Sequence, residues 1–146
     1  MKRILLFAVL LMVQLGFGQT WTGATNTDWN TPTNWNTGVV PISSGVVIIP
    51  NVTNKPTISV AGAVCTSLTI NNALGTTNTL TINTSGTLAV SGSITISAPS
   101  VDNGLSVIDV VGGTLSGASI TLSNTSGSTR DCRLTIGAGT VTVLGS

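Results

Sequence analysis

Ser93-Ile94-Thr95-Ile96-Ser97 returns twenty-six residues later as Ser119-Ile120-Thr121-Leu122-Ser123, and Leu68-Thr69-Ile70 stands one equal step before it. Two further sets of apolar-x-apolar triplets fill the intervals. Leu80-Thr81-Ile82, Ile108-Asp109-Val110 and Leu134-Thr135-Ile136 step by 28 and 26, while Leu88-Ala89-Val90, Leu115-Ser116 and Val141-Thr142-Val143 step by 27 and 26. Three phases repeating at one period mean three short strands per coil. Strand side chains alternate between faces, so the first and third residue of each triplet point inward and the middle one outward. A single coil cannot bury its apolar face. Coils stacked about 4.8 Å apart hydrogen-bond strand to strand and build columns of Leu, Ile and Val. The pattern therefore predicts an all-β fold, a parallel β-solenoid or β-helix with about 26 residues per coil, right-handed like most parallel crossovers. An antiparallel sandwich with turns every 8–12 residues is the rival, and it gives no reason for a three-phase period.

Composition agrees. Gly, Ser, Asn and Asp fill the gaps between triplets and suit the corners. Roughly half of the residues after the leader are Thr, Ser, Asn or Gly, but regular Val, Ile and Leu supply a core that a disordered chain lacks. The chain of 146 residues carries five Lys and Arg, four acids and no His or Tyr. Without Lys2 and Arg3, three cations (Lys55, Arg130, Arg133) face four acids (Asp28, Asp102, Asp109, Asp131), and there is no Glu. No basic stripe exists for nucleic acid, and no polybasic patch for an anionic membrane surface.

Residues 1–18 read as a secretory signal peptide. Lys2 and Arg3 precede the apolar run Ile4 to Val13, and Gly16 and Gly18 place small residues where a signal peptidase cleaves, before Gln19. The run is about half the length of a membrane span, and no later segment is long and apolar enough. The chain is therefore expected to be secreted or displayed at the cell surface. Residues 19–54 form an N-terminal cap segment and residues 55–146 the repeats.

The cap segment holds all three Trp residues, in Trp21-Thr22-Gly23, Asp28-Trp29-Asn30 and Asn34-Trp35-Asn36, followed by Pro41. A solenoid end exposes an unpaired edge and an open core, and three Trp can plug it. Val46 to Ile49 then reads as the first strand, ended by Pro50-Asn51. A Trp-x-Gly, Asp-Trp, Asn-Trp, Pro pattern leading into Thr/Asn/Gly-rich repeats resembles the adhesin-like β-helical surface and secreted proteins of Bacteroidetes, often exported by type IX secretion. The resemblance covers nearly the whole chain after the leader. It implies a structural or adhesive module without catalytic residues, with extracellular polysaccharide or a host or neighbour cell surface as partner. Such proteins usually end in a separate sorting domain. This sequence stops within a coil, so the repeats are expected to be truncated at their C-terminus, with self-association through the exposed edge.

The residues for catalysis are scarce. Without His or Glu the common proton carriers are missing, and the four Asp residues fall on separate parts of the repeat. An enzyme and a cofactor are not expected. Cys65 and Cys132 lack the spacing and partners of a zinc site, and no Asp-rich run supplies calcium ligands. The two cysteines occupy different corners about two and a half coils apart, so they are expected as free thiols, with Cys65 in the first phase. Three Asn-x-Ser/Thr matches, at Asn51, Asn83 and Asn124, are expected by chance in so Asn-rich a chain. Two binding alternatives remain. Trp21, Trp29 and Trp35, with Asp28 and Asn34 beside them, are candidate carbohydrate-binding residues, set against burial in the cap. Thr69, Thr95 and Thr121 head a regular outward array with Ser67, Asn71, Ser93, Ser97, Ser119 and Ser123, which suits an ice-binding-like, water-ordering face or simply a solvated strand surface.

Overall fold

A computed structural model describes residues 18–124 and 129–145. The segment expected to be a signal peptide lies, apart from Gly18, outside the described residues. The chain enters through β1 (Gln19–Thr20), crosses the cap segment with one 3-10 turn at Pro32–Asn34, and winds through four coils. The first is β2 (Val46–Ile49), β3 (Thr57–Ile58) and β4 (Ala63–Cys65), and the second β5 (Ser67–Ile70), β6 (Thr77–Ile82) and β7 (Thr87–Val90). The third is β8 (Ser93–Ser97), β9 (Leu105–Val110) and β10 (Thr114–Gly117), and the fourth β11 (Ser119–Ser123), β12 (Asp131–Ile136) and β13 (Thr140–Val143). Corresponding strands stack into three sheets, ordered β1-β2-β5-β8-β11, β3-β6-β9-β12 and β4-β7-β10-β13. Every strand pairing is parallel. The protein is a three-sided parallel β-solenoid.

The register is the one the triplets require. Leu68 pairs with Ile94 and Ile94 with Ile120. Leu80 pairs with Ile108 and Ile108 with Leu134. Leu88 pairs with Leu115 and Leu115 with Val141. Inward residues of the first three coils are buried, among them Val47, Ile49, Leu68, Ile70, Leu80, Ile82, Ile94, Ile96, Ile108 and Val110. Each such aliphatic side chain stabilises the fold by roughly 1.5–3 kcal/mol relative to exposure.

The fourth coil departs from the expectation of buried columns throughout. Ile120 is only partly buried and Leu122 is 45% exposed. Ile136 and Val143 are likewise exposed. Among the described residues no strand stacks on β11, β12 and β13 from the far side. The first coil also holds two strands that the triplet pattern does not show, β3 and β4, because one is two residues long and the other is Ala-Val-Cys.

Connections differ by corner. Those from the first sheet to the second run six or seven residues, those from the second to the third three or four, and those from the third to the first one or two. Within the coils, the longest loops therefore all leave the solenoid along one ridge. The middle corner is tight: Gly86, Gly113 and Gly139 stack there, and a Cβ on Gly113 would lie 2.4 Å from the Gly86 carbonyl oxygen.

Candidate functional site

The cap is built from its tryptophans. β1 lies on β2, Trp21 N–H donates to the Ile48 carbonyl, and Asp28 bridges Thr57 at the edge of the second sheet. Trp21 and Trp35 meet edge to face at 5.1 Å and 81°, and Trp29 and Trp35 at 4.7 Å and 76°. Such aromatic pairs add about 0.5–1.5 kcal/mol beyond their burial. Trp21 Nε1 donates to the Asn54 carbonyl (2.7 Å) and Trp35 Nε1 to the Trp29 carbonyl (2.9 Å). All three rings are at most 3% exposed and join one core cluster with Val47, Ile49, Ile58 and Cys65. A sugar stacks on an open ring face, and none of the three has one. The three rings are packed as the hydrophobic plug of the cap reading, without the open face on which the alternative, sugar binding at Trp21, Trp29 and Trp35, relies.

Asn34 is also committed inward. It is fully buried; its Oδ1 accepts the N–H groups of Thr25 (2.9 Å) and Asn26 (3.1 Å), and its Nδ2 donates to Asn26 Oδ1 (2.7 Å) and the Asp28 carbonyl (2.9 Å). Asp28 is exposed, and its Oδ1 accepts the Asn30 N–H (3.0 Å) in a local turn. The five candidates come together as the skeleton of the cap; the Trp21 and Trp35 indole N–H groups and the Asn34 amide are hydrogen-bonded, whereas the buried Trp29 Nε1 has no partner among the described residues.

The hydroxyl array is assembled as the repeat implies. Thr69 pairs with Thr95 and Thr95 with Thr121; Ser93 pairs with Ser119 and Ser97 with Ser123. Thr20 and Ile48 extend the threonine column toward the cap. Asn71 lies just past the end of β5, in the loop. Along β5, β8 and β11 the outward positions carry no charge. Asp109, in the second sheet, sits between Thr81 and Thr135 in an outward column.

The ridge of long loops is the part sequence reasoning missed. Its loops are braced across coils. Asn51 Nδ2 donates to Asn72 Oδ1 (2.8 Å) and Thr76 Oγ1 (3.0 Å), and the Ser100 N–H donates to the Asn72 carbonyl (2.8 Å). The Asn103 N–H donates to Thr129 Oγ1 (2.9 Å), and Arg130 Nε lies 3.2 Å from Asp102 Oδ1. Lys55 Nζ donates to Asn51 Oδ1 and the Val52 carbonyl; burial lowers its pKa. Above this framework Leu74 and Val101 are about half exposed. The signal available in the sequence was loop length, which separates the three corners once the triplets are aligned.

Both cysteines are free and buried. Cys132 is inward on β12, as placed by the repeat, whereas Cys65 ends β4 and pairs with Val90 in the third sheet rather than belonging to the first phase. Burial pushes the Cys65 thiol up to about 12; burial and the nearby Asp131 charge raise that of Cys132. The hydrogen bond from Asn124, with Arg133 beside it, lowers the pKa of Asp131. Inward Asn78 and Ser106 stack below Cys132, an interior polar column. Among the described residues no three of His, Cys, Asp or Glu converge on a common point for a metal ion, and no helix is long and apolar enough to cross a membrane.

Fold and cap together define a Trp-plugged, three-sided β-solenoid with one loop-bearing ridge. The chain belongs to the family described as a domain of unknown function, DUF8693, whose model matches residues 20–130. Neither a curated protein nor a solved structure matches it.

Proposed function

We propose that this protein is a non-catalytic structural or adhesive module of an exported bacterial surface or secreted protein, and that its contacts are made by the loop ridge. The observation that carries this reading is the placement of the longest loop of each coil on one corner. In repeat proteins, per-repeat insertions on one face commonly form the binding face. The cross-coil hydrogen bonds hold the ridge in one shape, so little ordering entropy is lost on contact. Leu74 and Val101 give it an apolar centre among Asn, Thr and Asp groups. The export signal and the resemblance to adhesin-like proteins support an extracellular setting, with polysaccharide or a neighbouring cell surface as partner. The test is retention of beads coated with residues 19–146 on immobilised polysaccharides and on whole cells. Retention that falls at least tenfold in Leu74→Asp/Val101→Asp supports the reading; retention no greater than that of albumin-coated beads defeats it.

A second reading rests on the uncharged hydroxyl array of the first sheet. A regular Thr and Ser lattice held on a stacked parallel sheet suits the ordering of water. Inhibition of ice recrystallisation that disappears in Thr95→Lys supports it, and activity equal to buffer removes it.

A further inference from the structure

We infer that the interior of the solenoid binds a water molecule between Asn78 and Ser106, in a polar site closed to solvent beneath the loop ridge. Both residues are fully buried, and they occupy neighbouring rungs of one inward column. Asn78 Oδ1 and Ser106 Oγ are out of reach of solvent, and neither has a hydrogen-bond partner among the described residues. Buried polar atoms are rarely left this way, because an unmade bond costs the full desolvation of the group.

The orientation of the amide is fixed. Asn78 Nδ2 donates to the carbonyls of Ile49 (2.9 Å) and Asn71 (2.8 Å), which can only accept, so Oδ1 is the atom turned to the interior. In-register rungs stand about 4.8 Å apart. Two hydrogen bonds of about 2.8 Å meeting at a water oxygen span about 4.5 Å, so one water reaches both atoms. It donates one O–H to Asn78 Oδ1 and shares a second bond with the Ser106 hydroxyl, which can give or take. Room comes from side-chain size. The adjoining rungs of β6 and β9 pair Leu80 with Ile108 and Ile82 with Val110, whereas Ser106 brings a single oxygen beyond its Cβ. A water needs about 30 Å³ and at least two polar partners. A divalent cation is a poor match, since one amide oxygen and one hydroxyl fall far short of the six or more oxygens, carboxylates among them, that such ions take. Ile49 ends β2 and Asn71 follows β5, so Asn78 holds the first two ridge loops from below. The water carries that support into the third coil through Ser106.

The test is water-oxygen relaxation dispersion on the purified protein, which counts waters held far longer than those at the surface and does not respond to hydroxyl protons. Ser106→Val fills the space and removes the hydroxyl, and it is expected to lose one long-lived water relative to the wild type. Thr95→Val, on the outward array, is expected to keep it. A crystal structure of the wild type, which does not depend on either variant folding, is expected to show a density peak within about 2.5–3.0 Å of both Asn78 Oδ1 and Ser106 Oγ. Equal counts in the wild type and Ser106→Val would overturn the inference. So would a direct bond between the two side chains with no peak between them, or a peak that gains scattering when sodium is exchanged for rubidium and is therefore a cation.

Discussion

Position within a column decides what a residue contributes. Ile94 and Ile120 are equivalent in the repeat, but Ile94 has a coil on each side and is fully buried, whereas Ile120 has one. Ile94→Ala is expected to cost about 2–5 kcal/mol, since a cavity remains between fixed layers. Ile120, only partly buried, should cost clearly less when replaced by Ala. Urea unfolding of both variants measures the difference, and equal losses would contradict the column picture. Gly113 illustrates a different constraint. Its corner passes so close to the carbonyls of Asn83 and Gly86, at 2.3 and 2.4 Å from a built Cβ, that Gly113→Ala must shift backbone. A loss of about 1–3 kcal/mol is expected. Cys65 gives a pH signature. Its thiol ionises near 9 when unfolded and near 12 when folded. Its neutral form therefore supports the fold fully below about pH 9, and this contribution is lost as pH rises from 9 toward 12. Denaturation midpoints at pH 8, 10 and 11 should fall progressively, and less steeply in Cys65→Ala. Thiol titration of the unfolded, unreduced chain should find two free groups.

At the scale of the strand, legibility followed side-chain alternation. Strands of four or five residues with a clean apolar-polar alternation, such as β5 and β8, were visible with their partners, because parallel stacking of identical phases fixes register. The two-residue β3 and the Ala-Val-Cys of β4 carry too little alternation to be seen. Polar inward residues were hidden for another reason: Asn78 and Ser106 occupy core positions by parity, but their type argues for a surface. Asn34 was visible only as a neighbour of Trp35; its buried role depends on hydrogen bonds to Thr25, Asn26 and Asp28, which no spacing announces. Asp109 shows the reverse. Its place between Thr81 and Thr135 followed from the repeat, and Asp is disfavoured in strands. Asp109→Thr completes the column and is expected to stabilise the protein by up to about 1 kcal/mol, read from the shift in urea midpoint at constant slope.

At the scale of the whole molecule, the solenoid is close to one-dimensional: each coil touches only its neighbours, so stability is a sum of coil and interface contributions. The cap is then the boundary condition at one end. Its three rings form one edge-to-face chain, Trp21 against Trp35 and Trp35 against Trp29, and the central member alone touches both others. Trp35 also donates to the Trp29 carbonyl, so its removal loses two ring contacts and a buried hydrogen bond together. Trp35→Ala is expected to cost about 3–5 kcal/mol locally. Because coupling runs only between neighbours, that loss should be spent first on the coil beneath the cap. Amide hydrogen exchange is expected to accelerate in β1, β2 and β3, while Leu80, Ile94 and Ile108 in the middle coils keep most of their protection. Uniform acceleration along all four coils would show instead that the molecule opens as one cooperative unit, with the cap acting on the whole stack rather than on its end.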